Sequence, residues 1–439
     1  MTSASRIRKA YRASIVHSLA DPAEVGIEAS HEYFADGLLV VEDERIVAVG
    51  HADDLLPTLD SDVQLTEYRD ALMTPGFIDT HIHLPQTGMI GAYGEQLLDW
   101  LNTYTFPCES QFADPAHATE VAGIFIKELL RNGTTTALVF GSVHKTSVEA
   151  FFSAALKQNL RMIAGKVMMD RNAPDYLVDT AQSSYDDSKD LIERWHGKGR
   201  LSYAVTPRFA PTSTPEQLTL AGKLLGEYPD LYMQTHISEN LQEIEWVKAL
   251  FPERKNYLDV YDHFKLLGER SVFAHGVHLC DEQCARLAET GSAIAFCPTS
   301  NLFLGSGLFD LPKAERHGIN VGLGTDVGGG TSFSILQTLN EAYKVMQMQG
   351  ARLSPFKSLY LATLGGARAL RLDDRIGSLK PGNEADFVVL DYNATPLLSY
   401  RLKQAKDIAE ILFVLMTLGD DRTVRQTWSA GQLVHERDD

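Results

Sequence analysis

The stretch of sequence that decides the fold is Pro75-Gly-Phe-Ile-Asp-Thr-His-Ile-His83, a β-rich run that ends in two histidines one residue apart. Residues i and i+2 of a β-strand point to the same side of the sheet, with Cα atoms about 6.6 Å apart. His81 and His83 can therefore converge on one cation, because imidazole nitrogens bind zinc at about 2.0–2.1 Å. Pro85 cannot continue a ladder of backbone hydrogen bonds, so we expect the chain to leave the sheet directly after the two histidines.

Apolar, β-rich runs of this kind recur along the chain, and helical patterns separate them. The runs span residues 71–83, 134–140, 162–169, 201–209, 232–236, 271–275, 293–297 and 320–325. The helical patterns span residues 116–131, 148–158, 185–198, 215–227, 241–250, 281–290, 308–317 and 334–348. Eight such βα units in series predict an α/β fold in which a parallel sheet closes into a TIM (β/α)8 barrel.

The two ends of the chain differ from this middle region, because both contain short β segments. Residues 37–50 predict two strands around an acidic turn, and residues 424–434 predict two more short strands. A (β/α)8 barrel needs about 250 residues, which residues 75–380 accommodate with longer loops. We therefore assign 75–380 to a catalytic barrel, and 1–74 plus 381–439 to a small composite β-sandwich domain built from both termini.

Composition argues against several classes of function. The net charge of -18 and the pI of about 5.2 indicate an acidic surface, which repels phosphate backbones and anionic lipids. No apolar run approaches the roughly 18 residues that a membrane span needs. The four cysteines lack the spacing of a disulfide framework, so a reducing, cytoplasmic compartment is expected. Two of them, Cys280 and Cys284, are expected to be small buried residues rather than metal ligands.

Polar residues stand where several of the predicted strands end, which in a barrel of this type is the functional face. His236 ends the fifth run, and Asp326 follows the eighth. With His81 and His83 they give three imidazoles and one carboxylate, a hydrolytic metal site for which zinc is the first choice and ferrous iron also suits. The fourth run ends without a lysine to bridge two ions, and Lys166 in the third is expected to be a structural amine. One ion per subunit is therefore expected.

Longer motifs around these residues resemble a known family. Pro75–His83, Leu323-Gly-Thr-Asp326 and Gly377-Ser-Leu-Lys-Pro-Gly-Asn-Glu-Ala-Asp-Phe387 resemble landmarks of the amidohydrolase superfamily, and the resemblance runs nearly end to end. Further stretches are similar to the guanine deaminase family within it, at residues 83–86, 91–101, 132–137, 166–174, 206–211, 236–239 and 296–301.

This resemblance implies a zinc enzyme that converts guanine and water to xanthine and ammonia in purine catabolism or salvage. The implied metal ligands are His81, His83, His236 and Asp326. The implied substrate-binding residues are His83, Leu84, Pro85, Gln86, Arg208, Phe209, His236, Ile237, Ser238, Glu239 and Asp326. Members of the family are typically homodimers, so a homodimer is expected here.

The chemistry assigns a role to each catalytic candidate. Glu239 and Asp326 are expected to carry protons between an activated water, the purine ring and the leaving amine. His275, at the end of the sixth run, is expected to hydrogen-bond the attacking water. The donor fork of Arg208 suits the purine carbonyl oxygen, and Gln86 can donate and accept at the base edge. Stacking is expected from Phe209, and from Trp100 or Phe303.

Other interpretations of these residues remain open at this stage. Glu239 can instead be an acid at the N-terminus of the helix over 241–250, and Arg208 a structural ion-pair partner. The same metal centre also serves other mononuclear deaminases and chlorohydrolases of the superfamily, with cytosine, thioadenosine or triazine substrates. A non-catalytic relative would have lost ligands, and none is lost here.

Overall fold

The computed structural model describes residues 7–93 and 97–438. Residues 94–96 of the 91–101 motif lie outside the described residues, as do the first six residues and the last residue of the predicted composite domain. No helix in the described ranges combines the length and the apolarity that a bilayer crossing requires.

The strands of the described chain fall into two sheets. In chain order they are β1 (Arg8–Ser18), β2 (His31–Glu42), β3 (Arg45–His51), β4 (Gln64–Pro75), β5 (Phe77–His83), β6 (Thr134–Phe140), β7 (Arg161–Gly165), β8 (Val167–Met168), β9 (Ser202–Pro207), β10 (Tyr232–Ile237), β11 (Ser271–His275), β12 (Ala293–Phe296), β13 (Asn320–Leu323), β14 (Phe387–Asp391), β15 (Val424–Ser429) and β16 (Gln432–Glu436).

The α-helices connect and cover these strands. They are α1 (Pro22–Val25), α2 (Ala52–Leu55), α3 (Leu97–Trp100), α4 (Phe106–Ser110), α5 (Pro115–Arg131), α6 (Lys145–Lys157), α7 (Ala181–Trp195), α8 (Pro215–Glu227), α9 (Leu241–Leu250), α10 (Tyr257–His263), α11 (Asp281–Thr290), α12 (Pro298–Phe303), α13 (Leu311–Arg316), α14 (Ile335–Met348), α15 (Pro355–Ala362), α16 (Leu364–Ala369), α17 (Pro396–Leu402) and α18 (Ile408–Leu418).

The middle of the chain forms the predicted barrel. Its parallel strands run in the order β5-β6-β7-β9-β10-β11-β12-β13, with the short β8 paired to β9. Each of the eight predicted runs contains one of these strands, because strands buried on both faces need near-continuous apolar sequence. Local sequence signals likewise determine where the helices begin. In α5, for example, the Asp114 side chain accepts a hydrogen bond from the Ala116 backbone nitrogen, and Pro115 occupies the first turn.

Apolar side chains from the strands pack together inside the barrel. One cluster unites Ile78, Leu138, Ile163, Ala204, Tyr232, Val272 and Ala293 with residues of α16 and the loop after it. The Tyr232 hydroxyl donates to the Leu370 carbonyl oxygen at 2.7 Å, which ties this cluster to the end of α16. The barrel is therefore a packed core rather than a pore, and the site lies above it at the strand ends.

The first predicted run, residues 71–83, is divided between the two sheets. Its first half belongs to β4 in the terminal sheet, and its second half is β5 in the barrel. Gly76 lies between them, where a Cβ atom would stand 2.2 Å from the Thr135 Oγ1. The chain crosses from one sheet to the other at a point where only glycine fits.

The barrel closes at a seam between β5 and the residues that follow β13. The Asp326 nitrogen donates to the His81 carbonyl oxygen at 2.9 Å, and the His83 nitrogen donates to the Val327 carbonyl oxygen at 3.0 Å. The buried Asp79 carboxylate accepts from the backbone nitrogens of His81 and Thr325, both at 3.1 Å. The Thr325 hydroxyl also donates to it. Asp79 therefore holds the first barrel strand against the last.

Both termini contribute to a second sheet, as predicted. Its strand order is β16-β15-β14-β4-β1-β2-β3, and neighbours are antiparallel except for the parallel pair β1 and β4. Tyr11, Phe387 and Trp428 pack ring against ring on one face of this sheet. The fold class is confirmed, whereas the domain boundaries at 74/75 and 380/381 stay a prediction. Helices α17 and α18, which the sequence patterns did not predict, interrupt the C-terminal strands, and α18 packs on α14 and α15.

Buried ion pairs join the terminal sheet to the barrel. Arg161, at the start of β7, donates from Nε to Glu384 at 2.8 Å. Arg200, just before β9, donates through both terminal nitrogens to the Asp386 carboxylate at 2.9 and 2.7 Å. Both arginines lie at the N-terminal ends of barrel strands, on the face opposite the strand ends that carry the histidines. This junction therefore bears on stability rather than on chemistry.

Candidate active site

Three imidazoles and one carboxylate meet at the C-terminal mouth of the barrel. His83 Nε2 lies 3.3 Å from His81 Nε2 and 3.2 Å from His236 Nε2. The Asp326 Oδ1 lies 3.1 Å from His81 Nε2 and 3.3 Å from His83 Nε2. Two donors at about 2.05 Å from a tetrahedral zinc ion are about 3.3 Å apart. The four predicted ligand atoms thus already have the spacing of a metal coordination sphere.

Hydrogen bonding leaves at least one ligand atom ready for a cation. His236 Nδ1 lies 2.7 Å from the Arg208 carbonyl oxygen, so Nδ1 carries the hydrogen and Nε2 keeps its lone pair. Neutral imidazole nitrogens that point at one another without hydrogens between them repel, and a cation removes that repulsion. The donor set therefore fits a divalent metal ion held by His81, His83, His236 and Asp326.

Burial fixes the protonation states that metal binding requires. It lowers the pKa of His83 to about 3 and lowers the pKa of His81 and His236 as well. Burial alone would raise the pKa of the Asp326 carboxyl, but the neighbouring imidazoles, His81 first, outweigh it and leave that pKa well below its usual range. Ligand imidazoles must be neutral and a ligand carboxyl ionised, so the site is already in its binding state at neutral pH.

The backbone at three strand ends adopts the left-handed region. The φ angles are 48° at Ser238, 72° at His275 and 52° at Asp326. Such conformations are uncommon for residues other than glycine and persist where the surrounding structure enforces them. Each one turns the chain sharply out of its strand, which directs the side chains of His275 and Asp326 toward the barrel axis.

Glu239 lies beside the ligand group, within reach of two partners. Its Oε1 accepts from the Ser306 hydroxyl at 3.0 Å, and its Oε2 is 3.4 Å from His275 Nε2. Burial, and then the Asp326 charge, raise the pKa of Glu239 to about 8. His275 is held in turn by the Asn301 side-chain oxygen, 2.9 Å from Nδ1, and its Nε2 is 3.8 Å from Asp326.

The N-terminus of α9 is capped by other residues than Glu239. Asn240 is its N-cap residue, and the Glu243 carboxylate accepts from the backbone nitrogens of Glu239 and Asn240 at 2.9 and 3.1 Å. The alternative role of Glu239 as the acid of this helix thus belongs to Glu243. An Asn-x-x-Glu spacing is a recognised capping signature, so the sequence contained a signal for Glu243.

Arg208 and Gln86 are connected through a residue that sequence reasoning missed. The Glu109 carboxylate on α4 accepts from Arg208 Nη1 at 2.7 Å and from Gln86 Nε2 at 3.1 Å. The Gln86 Oε1 accepts from the Gly328 nitrogen at 3.1 Å. Arg208 is therefore both an ion-pair partner, as the alternative interpretation expected, and a residue of the cavity wall. No spacing rule in the sequence links a lone glutamate on a short helix to residues 23 and 99 positions away.

A cavity opens directly above the ligand group. It contains about 420 Å³ of empty space, part of it open to solvent. Its wall contains eight predicted site residues, His83, Gln86, Arg208, Phe209, His236, Glu239, His275 and Asp326. Trp100, Leu101, Glu243, Leu304 and Gly329 complete the wall. The half of the wall made by Phe209, Trp100, Leu101 and Leu304 is apolar, and the half nearest the ligands is polar, which suits a flat heterocycle.

Some predicted substrate residues lie behind this wall. Leu84 and Ile237 are buried in the main hydrophobic cluster. Ile237 follows His236 on β10, and successive residues of a strand point to opposite sides. Leu84 is the first residue of the 3-10 helix that follows β5. Pro85 and Ser238 also lie outside the wall, and a role in substrate binding for these four residues stays a prediction. Phe303 is 36% exposed and is not part of the wall, so of the two further stacking candidates Trp100 is the one in position.

Lys166 has the structural role that the sequence predicted, whereas only one residue of the cysteine pair is buried as predicted. The Lys166 ammonium is buried, forms an ion pair with Asp179 and donates to the Val167 carbonyl oxygen at 3.1 Å, as expected of a structural amine. Cys284 is buried as expected, but Cys280 is exposed, which corrects that expectation. Cys280 is the N-cap residue of α11, where the chain turns outward before the helix begins.

Comparison with known proteins places this architecture in a class. Residues 72–434 match the amidohydrolase family, and the chain belongs to that family. The guanine deaminase of Escherichia coli strain K12 is 54% identical over 440 residues, covering 100% of both chains. Within the amidohydrolase family, this chain therefore belongs with the guanine deaminases.

Solved structures agree with that placement. A structure of E. coli guanine deaminase has a TM-score of 0.95 at 53% identity and covers 98% of this chain and 99% of that one. A guanine deaminase from C. acetobutylicum with guanine bound in its active site has a TM-score of 0.88 at 30% identity, with coverage of 98% and 100%.

Proposed function

We propose that this protein is a zinc-dependent hydrolase that converts guanine and water to xanthine and ammonia. The observation that carries the proposal is the convergence of His81, His83, His236 and Asp326 beneath a cavity lined by Arg208 and Gln86. Such a pairing of a metal centre with carbonyl-recognising donors suits deamination of an oxopurine. The similarity to guanine deaminases, one of them with guanine bound, supports the choice of substrate.

The four ligand residues would hold one divalent ion per subunit. When bound, zinc lowers the pKa of a coordinated water to near 7 and so supplies a nucleophile at neutral pH, and ferrous iron suits the same donors. His275 is within 3.8 Å of Asp326 and holds the attacking water by a hydrogen bond.

Glu239 and Asp326 move the protons of the reaction. Because Ser306 donates to Oε1 of Glu239, the proton of its protonated form resides on Oε2. As water adds to the guanine carbon that bears the amino group, Glu239 protonates the adjacent ring nitrogen. Asp326 accepts one proton from the water and passes it to the amino group. The proton on the ring nitrogen stays in xanthine, and Glu239 regains a proton from the new hydroxyl group as this becomes a carbonyl group. The carbon–nitrogen bond breaks, ammonia leaves, and the new carbon–oxygen bond remains in xanthine.

Arg208 and Gln86 set the orientation of the base. Arg208 donates to the purine carbonyl oxygen, and an amino group at that position would face a donor instead. Phe209 and Trp100 offer apolar surface to the ring faces. Guanine is thereby favoured over adenine, which carries an amino group where guanine carries the carbonyl oxygen.

The cellular setting follows from the same proposal. An enzyme of this activity acts in purine catabolism or salvage. We infer a homodimer from the resemblance to the guanine deaminase family. We infer a cytoplasmic location and no nucleic-acid or membrane partner from the acidic charge of -18 and the cysteine usage.

Incubation of the purified protein with guanine tests the proposal directly. Xanthine formation, followed by ultraviolet absorbance and confirmed by chromatography, is the expected result. A parallel panel of adenine, cytosine, thioadenosine and a chlorotriazine separates this activity from its relatives. Efficient turnover of one of those compounds with none of guanine would replace the proposed substrate. A protein that holds no metal, and gains no activity when zinc or ferrous iron is added, would point to a non-catalytic relative.

A further inference from the structure

We propose that Glu109 is a positioning residue that determines specificity for the oxopurine, by fixing the donor groups of Arg208 and Gln86. The inference rests on the proposed function and deepens it. Glu109 is not among the residues that line the cavity, so it acts through its two neighbours rather than on the reacting atoms.

Both oxygens of the Glu109 carboxylate are committed to residues of the cavity wall. Oε2 accepts from Arg208 Nη1 at 2.7 Å, and Oε1 accepts from Gln86 Nε2 at 3.1 Å. The Glu109 side chain is 0% exposed. A buried carboxylate without a charged partner is costly, so the pair with Arg208 is strongly favoured over separation. One carboxylate thus bridges the two side chains that are aimed at the base.

The Gln86 amide has one allowed orientation in this arrangement. The Gly328 nitrogen can only donate, so it requires the amide oxygen, and the Glu109 carboxylate can only accept, so it requires the amide nitrogen. The reversed amide would bring two donors together at Gly328 and two acceptors together at Glu109. The amide group has a second hydrogen on Nε2, which is then available to an acceptor in the cavity.

The Arg208 guanidinium is fixed in a similar way. It is 3% exposed, its carbon lies 5.4 Å from the centre of the Phe106 ring, and Glu109 neutralises its charge. Phe106 belongs to the same short helix as Glu109, so α4 both supports the plane of the guanidinium and holds one of its nitrogens. The remaining donors are held in a constant direction, as recognition of a carbonyl oxygen requires.

The cavity wall therefore presents hydrogen-bond donors to the base and disfavours a base that places a donor of its own opposite them. A site built to hydrogen-bond a substrate group discriminates strongly against an analogue that cannot make the bond. Hypoxanthine and adenine form a pair of probes, because neither has the amino group that is removed from guanine. They differ in the oxygen or amino group facing Arg208 and in the hydrogen on the adjacent ring nitrogen, which hypoxanthine has and adenine lacks. The ratio of their inhibition constants therefore reports on the hydrogen-bonding pattern at this edge of the base.

Glu109→Gln tests the inference, because an amide has a single acceptor where two donors need one each. In the folded, metal-loaded variant we expect KM for guanine to rise at least tenfold while kcat stays within about threefold. Hypoxanthine should inhibit about tenfold more weakly, and adenine by less than threefold. Glu109→Asp keeps the charge but is one methylene shorter, so it should lose part of the selectivity for hypoxanthine over adenine. If Glu109→Gln fails to fold, Glu109→Asp replaces it as the test variant.

Glu384→Gln is the matched control, since Glu384 also pairs with a buried arginine but at the opposite end of the barrel. It should lower the melting temperature and leave the hypoxanthine-to-adenine ratio unchanged. If Glu109→Gln leaves that ratio unchanged, or lowers kcat with KM intact, the assigned role is wrong. If the unmodified protein forms no xanthine from guanine, the proposed function itself fails, and the two outcomes are thereby distinguished.

Discussion

Burial and the Asp326 charge raise the pKa of the Glu239 carboxyl to about 8. A carboxyl group with a raised pKa can donate to a ring nitrogen and then act as a base. Glu239→Gln keeps the hydrogen-bonding shape and removes the exchangeable proton. We expect turnover of guanine to fall on the order of a hundredfold or more, with metal content and thermal stability retained. Stopped assays together with elemental analysis measure both, and a variant with near-normal turnover would remove the proton-transfer role.

His81 is expected to be indispensable to the metal centre. His81→Ala removes one of four donors and leaves a space of imidazole size at the base of the site. We expect the purified variant to retain less than a tenth of its ion after dialysis against a mild chelator, and to lose activity in parallel. His117→Ala, on α5 outside the site, is the control that should retain both. An ion still bound at full occupancy without His81 would show that this residue is not a ligand.

His17, far from the site on β1, links stability to pH. It is fully buried beside Ser378, and burial, then the Lys380 charge, lower its pKa from 6.5 to about 4, although the Glu32 carboxylate lies 3.3 Å away. The unfolded chain therefore takes up this proton before the folded chain does. The free energy of unfolding is expected to decrease between pH 6.5 and 4, by about 3 kcal/mol for this one group.

Urea unfolding at pH 7 and pH 4.5 checks that expectation. His17→Asn should weaken the pH dependence, whereas His51→Asn, at an exposed position on β3, should leave it unchanged. If the free energy of unfolding changes by the same amount between the two pH values in all three proteins, another group is responsible.

At the residue scale, the sequence predicted which side chains lie close together where a regular repeat fixes the direction in which they point. Alternation along a strand places His81 and His83 on one side, and the end of a barrel strand places His236 and Asp326 beside them. Prediction failed for Glu109, whose relation to Arg208 depends on how the segment after β5 folds over the barrel mouth. The sequence also did not show that Leu84 and Ile237 face the core while their neighbours face the cavity.

At the scale of elements, the seam between β5 and β13 depends on Asp79. Asp79→Ala would leave three buried donors, from His81, Thr325 and the Thr325 hydroxyl, without an acceptor. Each unsatisfied buried group costs about 1–3 kcal/mol, so we expect a loss of about 3 kcal/mol or more in the free energy of unfolding. Metal should also be lost at lower chelator concentration, because β5 and the residues directly after β13 carry three of the four proposed ligands.

Asp79→Asn is the informative comparison for this seam. Its amide oxygen can still accept from the two backbone nitrogens, and the Thr325 hydroxyl can rotate to accept from the amide nitrogen. We therefore expect a loss below about 1 kcal/mol, within the range of single hydrogen-bond changes. Urea titrations of the two variants give the comparison, and equal losses would mean that charge rather than bonding holds the seam.

The predictability of each element follows from the length of its pattern. The barrel strands and the longer helices such as α5 and α8 were predicted within a few residues, because continuous apolar runs and amphipathic periods persist over several turns. The short helices α10, α16 and α17 contain two turns or fewer and present no complete period. Gly76 ends β4 inside one apolar run, and only a close approach by Thr135 in three dimensions reveals it.

At the scale of the whole molecule, the junction at Arg200 should contribute stability without affecting catalysis. Asp386→Ala removes the carboxylate that pairs with buried Arg200 and accepts from the Ala430 nitrogen. Removal of one partner from a buried ion pair typically costs about 3–5 kcal/mol. We expect a lower melting temperature with kcat/KM for guanine unchanged at 25 °C. Reduced kcat/KM in the folded variant would show that the terminal sheet influences the barrel mouth.

The whole architecture was accessible from sequence because eight alternations of strand and helix admit few other topologies. The terminal sheet was predicted as a unit from β segments at both ends. Its pairing order was not predicted. The parallel contact of β1 with β4 joins residues 55 to 58 positions apart, and the contact of β14 with β4 joins residues 312 to 320 positions apart.

The seam has a consequence for the order in which this protein comes into being. Two of the proposed metal ligands lie on the first barrel strand, one on the fifth, and the last, Asp326, is added when about three-quarters of the polypeptide has been synthesised. On the ribosome, the proposed metal site is therefore incomplete until Asp326 emerges and the barrel can close. A translation product that ends before Asp326 would lack one of the four proposed ligands.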